Sequence, residues 1–186
     1  MPPEPARMSD PSHAFTEILQ RYERPLVRYA FSLTADLEDA RDIVQDVFIK
    51  LHHHLSGLDA EHLAPWLFTV CKNRALDHHR KHSRIITMET EQLELEACPN
   101  PGPGEEMENR ETAATLRQLI SELPDRQREA VRLKFIAGLD YKQISEAMKT
   151  SMGNVGYLIH HGVESLRRRW TTLDPEASAS MAIAKI

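Results

Sequence analysis

LAPWLFTVCKNRALDHHRKHSR, residues 63 to 84, joins an apolar helical stripe to a concentrated basic surface. Leu63, Trp66, Leu67, Val70 and Cys71 recur at three- and four-residue steps, which puts them on one side of a helix and requires that side to be buried. The other side carries Lys72, Arg74, Arg80, Lys81 and Arg84 against the single acid Asp77, a local charge of plus four in a chain whose total is minus five. A positive segment inside a negative chain points to a polyanionic partner at one place.

Working outward, the 186 residues allow one ordinary core or two small ones. The seven glycines and the scarcity of alternating apolar segments predict an all-α protein. No run approaches the roughly 20 apolar residues of a membrane helix. The opening MPPEPARMSDPSH lacks the apolar centre of a signal peptide, and Cys71 and Cys98 have neither disulfide-scaffold nor metal spacing, so a reduced, cytoplasmic protein with no membrane insertion is expected. The four prolines in residues 1–12 predict a disordered leader.

The first helix carries Phe15, Ile18, Leu19, Tyr22, Leu26, Tyr29, Ala30 and Leu33 on one face, with a kink expected at Pro25. Asp36 is placed to cap a second helix, whose buried face is Leu37, Ala40, Ile43, Val44, Val47, Phe48 and Leu51. Its outer face is mainly acidic, with Asp42, Gln45 and Asp46 among Glu38, Asp39, Arg41 and Lys50. Such a face is either simply solvated or a dock for a basic helix. The third helix is expected from about Glu61 or Pro65 through Lys81, with the proline in its first turn. His78 and His82 stand at the spacing of two helical metal ligands, but no cysteine or carboxylate nearby completes a shell, so no metal or other cofactor is expected.

From Ile85 to Asn109 the character changes. Between Met88 and Glu111, eight glutamates face only Arg110, and PNPGPG at 99–104 cannot continue a helix. This marks an acidic linker, 85–109, between a domain at 13–84 and another at 110–170, with a tail at 171–186. In the second domain Leu116, Leu119, Ile120 and Leu123 mark one helix. Pro124 and Asp125 start another that runs through Val131 and Phe135 to Ala137, where Gly138 stops it. Asp140 with Gln143 forms a capping-box pattern for a short helix with inner face Ile144, Ala147 and Met148. Ser151 caps a last helix that buries Val155, Ile159, Gly162 and Leu166 and ends in Arg167, Arg168 and Arg169. A short helix, a tight turn and a longer helix ending in arginines describe a helix-turn-helix, in which the start of the second helix enters the major groove. Asn154, Tyr157, His161 and Glu164 face away from its buried stripe, and Asn154 could pair with adenine.

DARDIVQDVFIKL, then PWLFTVCKNRALDHHRK, the acidic Pro/Gly linker, and LPDRQREAVRLKFIAGLDYKQISEAM with its closing helix together resemble a bacterial sigma factor of the extracytoplasmic-function (ECF) group, over residues 13–170. The resemblance implies a sigma region 2-like bundle and a region 4-like helix-turn-helix. It implies that Asp42, Gln45 and Asp46 dock on the clamp helices of the beta-prime subunit of core RNA polymerase, that the beta subunit is a further partner, and that Lys72, Asn73, Arg74, Asp77 and Arg80 engage promoter DNA near minus ten. It places the linker in the polymerase's basic template and RNA-exit path, and it admits an anti-sigma factor as a possible partner. Near minus thirty-five the closing helix departs from the family pattern. Positions that are usually basic are Gly156, Leu158, His161 and Val163, each lost cation removing about one unit of salt slope. Contact there rests on Ser151, Asn154, Tyr157, His161, Arg167, Arg168 and Arg169. No nucleophile with a partner base and no phosphate-cradling glycine loop is present, so no enzyme activity is expected. Two other readings stay open: a helix-turn-helix regulator acting without replacing a sigma subunit, and a metal-dependent hydrolase built on the histidines.

Overall fold

A computed structural model describes residues 11–54, 59–85 and 105–173. Among these the regular structure is seven α-helices and one π-helical turn, with no strand. The helices form two bodies, each helix burying the apolar face that its periodicity requires.

In the N-terminal body, α1 (Pro11–Thr34) runs through Pro25, whose ring nitrogen cannot donate to the Arg21 carbonyl. It starts inside the expected leader; residues 1–10 lie outside the described residues. Ala35, at φ 61°, takes the left-handed conformation that ends α1, and its N–H donates to the Phe31 carbonyl at 2.9 Å. The chain then turns into α2 (Leu37–His54), capped by Asp36, whose Oδ1 accepts the Asp39 N–H at 2.8 Å. α3 (Ala60–Ile85) completes the bundle. Pro65 is its sixth residue, not in its first turn, so the helix forfeits the bond to the Glu61 carbonyl. The Thr69 hydroxyl donates to the Pro65 carbonyl at 2.7 Å.

The core of this body is made of large side chains. Leu26, Tyr29, Val47, Leu51, Leu67, Phe68 and Cys71 are fully buried, each of the larger ones contributing about 1.5–3 kcal/mol. Trp66 is half-buried at the edge of the stripe, 5.9 Å from the His54 ring.

The second body begins at α4 (Glu105–Ser121), earlier than the composition change implied, so Glu105 to Asn109 are helical. The motif at 99–104, Cys98 and most of the expected linker lie outside the described residues. Leu119 and Leu123 are buried here, but Leu116 is exposed, contrary to its place in the apolar pattern.

α5 (Asp125–Val131) continues as the π turn Arg132–Ile136. The Ala137 N–H reaches back five residues to the Arg132 carbonyl at 3.0 Å. That extra residue rotates the chain off the 3.6-residue register. Phe135, inside this turn, is 61% exposed, while Leu133 and Ala137 face inward. Gly138 at φ +76° stops the segment. α6 (Tyr141–Ala147) opens with the expected capping box: Asp140 accepts the Gln143 N–H at 2.8 Å, and the Gln143 side chain accepts the Asp140 N–H at 3.0 Å.

α7 (Met152–Leu173) runs three residues into the expected tail. It buries Val155, Leu158, Ile159 and Gly162, with Leu166 half-buried. At Gly162 the backbone of α7 closes on α5, and a Cβ there would lie 2.8 Å from Val131 Cγ2. The bodies also touch each other, α1 against the π turn and α3 against α6, so their buried side chains form one continuous cluster.

Candidate functional site

Asp42, Gln45 and Asp46 share the exposed side of α2, because Ile43, Val44, Val47 and Phe48 take the buried side. Beside them runs a feature the sequence did not disclose. A groove of about 550 Å³ opens between α1 and α2, floored by Phe15, Leu19, Val27, Val44 and Phe48 and edged by Arg41, Gln45 and Ile49. Only packing of α1 on α2 creates it; the exposed Ile49 was the one local hint.

On α3, Asn73, Arg74, Asp77 and Arg80 are exposed and Lys72 is half-buried. Each cation of this set has a carboxylate near it. Arg80 Nη1 lies 3.7 Å from Asp77 Oδ1, and Arg74 Nε lies 3.7 Å from Asp46 Oδ2, so one expected DNA residue touches one expected docking residue. Both pairs are solvent-facing and weak, of order 0–1 kcal/mol. Lys72 differs: its Nζ lies 3.3 Å from Oε1 of Glu129, which α5 supplies from the other body.

Glu129 is the one buried charged side chain among the described residues, 8% exposed. The Tyr29 hydroxyl donates to the same oxygen at 2.7 Å. Burial drives the Tyr29 hydroxyl well above its ordinary pKa, and the Glu129 carboxylate pushes it further. Burial, with Glu129 again adding, raises the Cys71 thiol to about 12, which leaves it protonated and unreactive at neutral pH. Arg132 is lowered, first by desolvation and then by Arg128, and its Nε is buried without a hydrogen-bond partner. No sequence pattern marked Glu129, since an acid on a short helix looks like a solvated one.

The helix-turn-helix is formed by α6 and α7. Ser151 caps α7, its hydroxyl oxygen accepting the Asn154 N–H at 3.2 Å, and the Asn154 amide donates to the Thr150 hydroxyl at 2.8 Å. Tyr157 stands out from the helix at 58% exposure, its ring 4.2 Å from that of His161. Glu164 lies 3.4 Å from the His161 ring. Arg167 and Arg168 are exposed, while Arg169 is tied at 2.6 Å to Glu122, just beyond the end of α4. Leu158 is buried, so in this chain that position belongs to the core and cannot be counted as a lost phosphate contact. Gly156 faces the Tyr141 ring instead, with 3.7 Å between its absent Cβ and Tyr141 Cε1.

Among the described residues no three histidine, cysteine or acidic side chains gather as metal ligands, and no helix is long and apolar enough to cross a membrane.

The two bodies coincide with two family models: Sigma-70 region 2 matches residues 18–85 and Sigma-70 region 4 matches residues 113–166. The ECF RNA polymerase sigma factor SigM of Bacillus subtilis is 31% identical over 152 residues, 81% of this chain and 91% of that protein. The RNA polymerase sigma factor NccH of Alcaligenes xylosoxydans xylosoxydans is 32% identical over 144 residues, 75% of this chain and 77% of that protein. In fold, the chain is similar to CnrH, solved with the cytosolic domain of CnrY, at a TM-score of 0.64 and 20% identity over 87% of this chain and 90% of that one. It is equally similar to the sigma factor RpoE of Bartonella quintana, solved with the anti-sigma factor NepR, at a TM-score of 0.64 and 20% identity over 83% of this chain and 95% of that one. Two region models in the expected order, one on each helical body, and relatives aligned over most of both chains show that this protein is a bacterial RNA polymerase sigma factor of the ECF group.

Proposed function

We propose that the sigma function is divided over these surfaces residue by residue. Asp42, Gln45 and Asp46 on α2 dock on a basic helical element of core RNA polymerase, the beta-prime clamp helices. Lys72, Asn73, Arg74, Asp77 and Arg80 on α3 hold the non-template strand near minus ten, where unstacking a base costs a few kcal/mol that pocket and phosphate contacts offset. Asn154, Tyr157, His161, Arg167 and Arg168 read the upstream element, with Ser151 setting the start of α7. The working units are residues 13–84 and 110–170, with the acidic linker passing through a basic channel of the polymerase. The similarity to RpoE of Bartonella quintana, solved with the anti-sigma factor NepR, supports an anti-sigma factor as a further ligand.

The observation that carries this reading is the sorting of charge by packing. The apolar stripes of α2 and α3 are buried, which leaves the acidic residues of α2 and the basic residues of α3 exposed side by side on one three-helix body. Core polymerase supplied with this protein should start RNA chains from a subset of a randomised promoter library, and should not do so without it. Replacing Lys72 and Arg80 with alanine should leave polymerase association within about twofold while abolishing permanganate reactivity at the start site. Normal reactivity in that variant would remove α3 from the melting step.

A further inference from the structure

The exposed start of α7 is aromatic and carries no fixed cation. Between Lys149 and Arg167 the chain holds no lysine or arginine, and Glu164, the one acid of α7, lies 3.4 Å from the His161 ring. Met152 and Tyr157 are more than half exposed, at 57% and 58%. The rings of Tyr157, His161 and His160 make one contiguous run, with successive centroids 4.2 and 5.4 Å apart. Beside them lies Tyr141 of α6, also exposed, its Cε1 3.7 Å from the position that a Cβ of residue 156 would take. Lys134 Nζ sits 5.3 Å from the centroid of that ring and helps to hold it in place. A long side chain at 156 would lie over the Tyr141 ring. Gly156 leaves it bare.

We infer that α7 reads its element through the 5-methyl groups of thymine, with Met152, Tyr157 and the uncovered ring of Tyr141 as the apolar contacts, and not through guanine. The inference rests on the reading of α7 as the upstream-element helix and names what that helix recognises. In the major groove guanine presents acceptors at N7 and O6, which arginine or lysine matches, whereas thymine presents a methyl group, which apolar side chains match. The first chemistry is missing from this face and the second is abundant. Asn154 remains for adenine, its amide held by the Thr150 hydroxyl at 2.8 Å, so both available chemistries select A·T pairs. Large apolar groups gathered in the open mark a contact surface. Charge and length fit this one to a duplex. Lys149 is exposed at one end of it and Arg167 and Arg168 at the other, and cations at both ends favour a polyanion over a protein partner. Between them, Met152 to His161 spans about 14 Å at about 1.5 Å per residue, close to the roughly 12 Å width of the major groove.

The test uses promoters selected from a randomised library by core polymerase with the full-length protein. Remaking their upstream element with deoxyuridine for thymine removes the 5-methyl groups and keeps the base pairs. RNA synthesis should fall at least fivefold. Placing 7-deazaguanine at any guanine there removes the N7 acceptor and should change synthesis less than twofold. Tyr157→Ala alters an exposed side chain, so circular dichroism should be unchanged, while the ratio of activities on thymine and uracil templates falls toward one. Gly156→Arg should cover Tyr141, lower the same ratio and enrich guanine upstream in a repeated selection. Equal activity on the two templates, a 7-deazaguanine loss as large as the uracil loss, or a selected element without A·T pairs would each overturn methyl reading. A different failure would strike the underlying assignment. If the selected promoters share no upstream element, or if Arg167→Ala with Arg168→Ala leaves activity on them unchanged, α7 does not read DNA and its aromatic face belongs to a protein partner.

Discussion

Helices α1, α2 and α3 are 24, 18 and 26 residues long, whereas α5 and α6 have seven residues each. The N-terminal body stabilises itself by burying large side chains along long stripes, and its exposed faces are left free to carry charge. The C-terminal body sets two such short helices between two long ones, α4 of 17 and α7 of 22 residues. Its shape depends on local devices: the capping box at Asp140, the serine cap at Ser151, the left-handed Gly138 and the close approach at Gly162. Short helices are unstable by themselves, so each device sets where a helix starts, stops or crosses. The same contrast fits the proposed division of roles. A docking face needs a rigid, broad surface, and a reading helix needs a defined entry angle.

The largest effect should come from charge reversal on the rigid body. Asp42→Lys with Asp46→Lys changes two exposed positions, so the thermal midpoint should hold, while affinity for core polymerase falls about 100-fold or more through like-charge contact. Retained affinity in a pull-down would deny the N-terminal body its docking role. Next is a core truncation there: Leu67→Ala should cost about 2–5 kcal/mol in denaturant unfolding, the range for a fully buried leucine that leaves a cavity. A cost below about 1 kcal/mol would mean that bulk is not what holds this bundle.

In the C-terminal body Gly162→Ala adds one methyl against the β-branched Val131 and should destabilise by about 1–3 kcal/mol, the penalty of overpacking. Val131→Ala in the same chain should recover part of it, and absence of recovery would place the defect elsewhere. The smallest effect should be Asp140→Ala, about 0.5–2 kcal/mol from the lost cap. It should reduce DNA-dependent steps while polymerase docking through α2 stays intact. Equal loss of docking would erase the distinction between the bodies.

Much of the fold was legible because period and caps are local. The buried faces of α2 and α3 follow from three- and four-residue spacing, and Asp36, Asp140 and Ser151 cap where their residue types and positions indicate. Three positions depart from the pattern. Phe135 lies inside the π turn and is exposed, where the expected helix ran regularly on to Ala137. Leu116 fits the stripe of α4 yet remains exposed. Leu158, aligned with a basic family position, is drawn into the core with Val155 and Ile159.

Alone, the order of residues determined an all-helical chain, an acidic face on α2, a basic end to α3 and a helix-turn-helix, because each depends on neighbours within a few positions. Only the tertiary structure decided that Tyr29, Lys72 and Glu129 meet, that Glu61 faces Lys142, and that α6 rests on α3. Tyr29 and Glu129 are 100 residues apart in the chain. No local rule pairs groups at such separation, since their meeting depends on the packing of whole helices and on which buried charge finds a partner there.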